Sequence, residues 1–427
     1  MLAGLAAVAM LFSCVKASPL PQGEGASASA SSGSLAAGGG AAGFDSNGKP
    51  IAATGTVSVN HNRANARAKA LGVKVEDHLK GYLFVSYKDE TEAVYAHLSV
   101  GNSPLKYTVV NEGQPILRSE AGSKSIRDPY LISKPDRSQS WIIGTDVNVR
   151  QYNGDYGKVQ RNQSRGIVIF ESNGASLSDW KPARISPPLI DERAGFVNAP
   201  SAVWDPIKNA FLVTWGSAVF KTAQQDDKDQ PPTFIWSAYT TDFQTFSKAQ
   251  PYYTPKDGAA TDMAIAALNG TTDSKSFARF FRDDTNGTLK VRGQISRDGV
   301  NGKWTDIGGT DAFVDPKNNN GGPLLFKDNI DQSRWHIWVD GFVSGYRPFE
   351  TNDIAQPHPQ PSSTDGFPVG SKQGNVVPLT EAQYSALSKA WDVPAPADTA
   401  SGTSPSTSPS TTPATTPATT PSTTAEH

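Results

Sequence analysis

The chain has 427 residues, of which 37% are hydrophobic and 19% charged, with a formal net charge of -2. That length admits one large all-β domain or two ordinary ones, and the balanced charge excludes a basic surface built for nucleic acid. The only cysteine, Cys14, falls in a segment expected to be removed, so thiol chemistry and disulfide staples are excluded from the mature protein.

Met1 to Ala17 contain an apolar run, Leu2 to Cys14, followed by Val15-Lys16-Ala17. The run is too short to span a bilayer and ends on a small-x-small cleavage pattern, so residues 1–17 read as a secretory signal peptide, without the usual basic start. The protein is therefore expected to be secreted. Residues 18–75 form a low-complexity leader, dominated to about residue 57 by Ala, Gly and Ser, which cannot bury enough surface to offset the entropy of ordering. A short helix is expected around Ala64 to Leu71. Residues 393–427 repeat Ser, Thr and Pro, as in Thr411-Thr412-Pro413-Ala414, and read as an O-glycosylated, stalk-like tail. No later run reaches transmembrane length and the tail lacks the apolar stretch of a lipid-anchor signal, so no membrane partner is expected. The sequons at Asn162, Asn269 and Asn286 fit a secretory route and are expected on exposed loops.

Between the flanks, residues 76–392 carry a repeat. Runs rich in aromatic and β-branched residues start at Tyr82, Trp141, Phe211, Phe277 and Trp335, at intervals of 59, 70, 66 and 58 residues. A period of this size points to one supersecondary unit used five times. In four units a further strand follows, then a polar turn and an aromatic, at Tyr107, Trp180, Phe246 and Trp304. Four units also have a strand before the apolar run: Asp128 to Ile132, Pro200 to Trp204, Asp262 to Ala266 and Pro323 to Phe326. Each unit is thus a four-stranded antiparallel blade, and the whole an all-β, five-bladed β-propeller, with two packed sandwiches as the alternative. The unit at Tyr82 lacks an inner strand, and Gly374 to Leu379 at the other end is free to supply one. The ring is therefore expected to close by pairing this C-terminal strand with the N-terminal blade, and Thr380 to Trp391 to form a helix outside it.

Inner strands of a propeller converge on its axis, so Asp128 and Asp262, at the starts of two of them, are candidates for an axial carboxylate pair. Asp128 lies in Ser125-Ile126-Arg127-Asp128-Pro129-Tyr130, where the plain alternative is a turn residue opening a strand. Two carboxylates about 6.5–9.5 Å apart suit inverting glycoside hydrolysis, which needs room for a water. The six histidines, at 61, 78, 97, 336, 358 and 427, show no metal-ligand spacing. His97 and His336 sit in expected strands and read as core residues. No metal or other cofactor is indicated, a channel calcium ion included.

Gly122 to Tyr130, Trp141 to Val147, Ala199-Pro200 and Thr240 to Phe246, in this order, resemble glycoside hydrolase family 43, whose members include α-L-arabinofuranosidases, endo-arabinanases and β-xylosidases. The similarity runs from about residue 80 to 391 and implies a five-bladed propeller. It implies Asp128 as the general base and Asp262 as the carboxylate that tunes the general acid. The acid, a Glu in a Glu-Gly-Pro context, falls on Gly321 of Gly321-Gly322-Pro323. Two further positions differ: Ser201 follows Ala199-Pro200 where the family has an acidic residue, and Gln373 stands where an axial histidine is expected. Arg127, Asp146, Ser201, Trp215, Asp340 and Gln373 are expected to line the substrate site. Asp340, which ends the second strand of the Gly321 blade, and Glu350, in its outer part, are the candidates to substitute for the missing acid, with Asp340 a minor alternative that would point into the mouth. The expected partner is a pentose-containing polysaccharide or oligosaccharide, and the expected state a monomer. The expected activity is inverting hydrolysis, with a non-catalytic glycan binder as the alternative because Gly321 offers no proton. A surface protein valued for its glycosylated tail explains none of the axial carboxylates.

Overall fold

The computed structural model describes residues 79–394, apart from 227, 310, 311, 357 and 358. The expected signal peptide, the leader with its short helix, and the tail beyond residue 394 lie outside the described residues.

Five sheets of four antiparallel strands make a five-bladed β-propeller. Blades 1 to 4 have inner strands Arg127–Ser133, Asn198–Asp205, Ala260–Ala267 and Gly321–Lys327. Each inner strand packs against the next, and Lys372–Thr380 returns to pack on Arg127–Ser133, completing the ring. The second strands are buried along nearly their whole length, as in Ala210–Ala218 and Trp335–Asp340. A strand sandwiched between neighbouring blades has no wet face, which is why its sequence is a continuous apolar run rather than an alternation.

Aromatic side chains fill the wedges between blades. Trp141 of blade 1 meets Phe211 and Phe243 of blade 2 at centroid separations of 5.6 and 4.9 Å. Phe84 of the closing blade meets Trp338 and Tyr346 of blade 4 at 5.4 and 5.7 Å. Burial of each such ring contributes about 1.5–3 kcal/mol. His97 and His336 belong to this packing, stacked on Phe84 and Phe326 at 5.4 and 5.0 Å. Burial holds His97 down at about 4, so it is neutral at pH 7.

Two fourth strands begin at Tyr107 and Trp304 as expected, but two others differ. Trp180 and Phe246 lie in the turns, and the outer strands follow later, at Arg184–Ile185 and Gln250–Tyr253. Trp180 makes only an isolated bridge to Ser172. These edge strands are short and half exposed, so little hydrophobic pattern marks them.

Closure occurs as the sequence predicts: Lys372–Thr380 pairs with Leu79–Tyr87, with Leu83, Phe84 and Val85 opposite Val377, Val376 and Asn375. A Cβ on Gly374 would stand 1.9 Å from the Val85 carbonyl oxygen, so only glycine allows this approach. The Asn375 carboxamide then joins the closing strand to blade 1, accepting from the Leu131 N–H at 2.8 Å and donating to its carbonyl at 2.9 Å. The Glu381–Ala390 helix follows, opened by a capping box between Thr380 and Gln383, and buries Tyr384 and Leu387 in the same core as Leu83. Replacing Asn375 by Leu strands both Leu131 groups without partners, at about 1–3 kcal/mol each. Chemical denaturation of Asn375→Leu is expected to show a lower midpoint with an unchanged slope.

Candidate active site

The four inner strands of blades 1 to 4 share one irregularity. Arg127, Asn198, Thr261 and Gly321 lie opposite Thr145, Gly216, Arg282 and Asp340, and after each pair the register slips. The following residue sits at positive φ in every case: Asp128 at 52°, Ala199 at 47°, Asp262 at 55° and Gly322 at 46°. For an L-residue this conformation costs roughly 1–2 kcal/mol. Retaining it at two aspartates turns both carboxylates out of the regular ladder at the mouth, the kind of re-aiming for which bulges occur beside active sites. Pro129, Pro200 and Pro323 follow three of these bulges, where the missing N–H leaves no ladder bond unmade.

Asp128 is buried, and its Oδ2 accepts a hydrogen bond from the Thr145 hydroxyl at 2.8 Å. The same hydroxyl oxygen accepts from the Ala199 N–H at 2.7 Å. An amide can only donate, so the hydroxyl proton of Thr145 is committed to Asp128. Burial, above all, pushes Asp128 up to about 7; Arg127 and Thr145 oppose the rise, while Asp262 and Asp340 add to it. The three carboxylates therefore share one electrostatic environment.

Asp262 is also buried. Its Oδ1 accepts from Thr261 Oγ1 at 3.1 Å and Asn198 Nδ2 at 3.4 Å. Its Oδ2 faces the Gly322 N–H at 3.3 Å and the Arg282 guanidinium at 3.5 Å. Arg282 is fixed in turn by a bidentate pair with Asp284 at 2.8 and 2.9 Å. A Cβ on Gly321 would lie 3.0 Å from both Arg282 Cδ and Asp262 Oδ2, so Arg282 fills the space a longer residue there would enter. Asp340 accepts from the Phe342 and Gln373 N–H groups at 2.8 and 3.1 Å, between the starts of the blade 4 inner strand and the closing strand.

Residues 77–385 match the family described as a probable glycosyl hydrolase domain of the family 43-related type. The chain belongs to this family. An α-L-arabinofuranosidase of Bifidobacterium longum subsp. longum is 24% identical over 227 residues, spanning 48% of this chain and 21% of that protein. The chain thus spans about a fifth of the length of the relative it matches. Among solved structures, a thermostable family-43 glycoside hydrolase is similar with a TM-score of 0.38 and 15% identity, over 57% of this chain and 73% of that one. An exo-β-1,3-galactanase from Phanerochaete chrysosporium gives 0.38 and 11%, over 58% and 52%.

Of the other positions expected to line the site in this family 43 chain, several hold the structure together instead. Trp215 is fully buried in the core between blades 1 and 2, with no ring face for a sugar, which corrects its expected role. The Ser201 hydroxyl lies 2.5 Å from the Met263 carbonyl and 2.9 Å from Thr214 Oγ1, tying blade 2 to blade 3. The Asp146 carboxylate fixes the preceding loop through the Ser123 N–H at 2.8 Å. Arg127 is held by Glu92, Asp89 and the Tyr87 hydroxyl at 3.0, 3.1 and 2.7 Å. Gln373 does reach the mouth, where its side chain covers Gly322. Thr145, Arg282 and Asp284 belong to the site but were not singled out from the sequence; the positions opposite the bulges identify the first two. Among the described residues no three His, Cys, Asp or Glu side chains are placed to hold a metal ion.

Proposed function

We propose that the protein is a secreted glycoside hydrolase that cleaves O-glycosidic bonds of arabinose- or xylose-containing polysaccharides with inversion. The observation that carries this reading is Asp128: a buried carboxylate oriented by a committed hydroxyl, poised at about 7, with further carboxylates beside it. A base with that pKa is about half ionised at neutral pH and basic enough to take the proton of an attacking water. The relative named an α-L-arabinofuranosidase supports the pentose assignment. The exposure of Asn162, Asn269 and Asn286 is compatible with glycosylation on a secretory route.

A second reading, a pentose-glycan binder with little turnover, is favoured by Gly321, with Ser201 and Gln373 as further departures. Turnover of aryl α-L-arabinofuranosides and β-xylosides, with the anomer formed first followed by NMR, separates the two. Hydrolysis with inversion, abolished in Asp128→Asn, is the expected result. No turnover of any pentoside, alongside measurable arabinan or xylan binding, would establish the binder instead.

A further inference from the structure

We propose that Asp340 is the proton donor of this site, supplying from the second strand of blade 4 the carboxyl group that its inner strand lacks. This inference rests on the hydrolytic reading above. It is carried by the repeat itself. In blade 1 the residue opposite the pre-bulge position, Thr145, reaches the carboxylate at the bulge, Asp128. In blade 3 Arg282 holds the same place and faces Asp262 at 3.5 Å. Both show that a side chain at this place in the ladder is directed to the mouth. In blade 4 the place belongs to Asp340, directly opposite Gly321, and the bulge residue is Gly322. Two residues paired directly across antiparallel strands project to the same face, so Asp340 shares the face of a side chain that Gly321 does not have.

The surroundings of Asp340 act on its proton in both directions, with a net rise. It is buried, and burial raises its pKa; Asp262 adds to the rise, while Lys372 and the Phe342 and Gln373 N–H groups oppose it. The ammonium group of Lys372 lies 3.6 Å from Oδ1 of Asp340, but it also faces Asp89 at 3.7 Å and the Phe342 carbonyl, so its charge is shared. The remaining ionisable neighbours are Tyr346 on the adjacent strand, Tyr87 on the closing blade and Asp128. Both tyrosines are held well above their usual range by burial and stay neutral. Asp340 also adds to the rise of Asp128, so the two carboxylates oppose each other's ionisation.

The step balances. The Asp340 carboxyl gives its proton to the glycosidic oxygen as the bond from that oxygen to the anomeric carbon breaks. A water adds to the opposite face of that carbon and passes a proton to Asp128. Asp340 ends ionised and Asp128 protonated, and exchange with solvent restores both.

The experiment compares the wild type with Asp340→Asn on a dinitrophenyl pentoside, whose leaving group needs no proton, and on an unactivated pento-oligosaccharide. The expected result is a fall in kcat/KM of about 10²–10⁴-fold on the oligosaccharide, less than about tenfold on the dinitrophenyl substrate, and loss of the alkaline limb of the pH profile. Retained turnover of the activated substrate also reports that the variant is folded. An equal loss on both substrates, or none on either, overturns the assignment of Asp340 and leaves the hydrolytic reading standing. A wild type that turns over neither substrate overturns the hydrolytic reading, and the proton donor with it.

Discussion

Asp128→Asn is expected to lower kcat/KM by about 10²–10⁴-fold while making the protein harder to unfold at pH 8, by about 1–3 kcal/mol. The two effects have one cause. The folded chain raises Asp128 from 3.8 to about 7, so the native state binds its proton more tightly than the unfolded state does. Below about pH 4 both states are protonated and the group costs nothing. Between about 4 and 7 the unfolded carboxyl ionises first and stability falls, and above 7 the full cost is present. Asparagine keeps the acceptor for the Thr145 hydroxyl and removes that ionisation. The gain in stability over wild type is therefore expected to be largest at pH 8 and to vanish toward pH 4, as read by denaturant unfolding at several pH values. A turn aspartate with only a local hydrogen bond to lose would behave oppositely, its substitution costing stability at every pH above 4. That outcome would remove the main physical support for Asp128 as the base.

The propeller was legible because its second strands are buried on both faces, and runs such as Phe211 to Trp215 must then be apolar throughout. The closing strand was legible by elimination, since the unit at Tyr82 lacked an inner partner that Gly374 to Leu379 could supply. Two outer strands were marked by Tyr107 and Trp304, but the others were not: Gln360–Pro361, exposed, carries no pattern that sets it apart from a loop. The site divides along the same line. Asp128 and Asp262 could be placed from strand starts and from the family resemblance. Their orientation could not, because a bulge is a slip between two strands and no single segment encodes it; Asp128 sits at a φ of 52° that nothing in its own segment marks. Trp215 was misassigned because an aromatic on a buried strand and one on a sugar platform have the same letter. Asp340 was expected in the site, but its pairing was not legible: 19 positions after Gly321 in the chain, it becomes its direct neighbour only through the ladder.

Removal of the closing strand is expected to have the largest effect on folding. A chain ending at Ser371 loses Lys372–Thr380 and the Glu381–Ala390 helix, and with them buried Val376, Leu379, Tyr384 and Leu387. At about 1.5–3 kcal/mol for each side chain, the loss is about 6–12 kcal/mol, comparable to the whole stability of an ordinary domain. It also breaks the bonds of the Tyr346 hydroxyl to Gly374 and of Asn375 to Leu131, which join the closing strand to blades 4 and 1. The strand Leu79–Tyr87 becomes an open apolar edge, a template for aggregation. A chain ending at Thr380 keeps the ladder and loses only the helix, with Tyr384 and Leu387, so about half that cost is expected. The measurement is soluble yield and cooperative unfolding of the two truncations. The shorter is expected to be insoluble alone and recovered when residues 372–394 are supplied as a separate peptide. A chain ending at Ser371 that unfolds cooperatively near the wild-type midpoint would show that a three-stranded closing blade suffices and that the ring gains little from its closure.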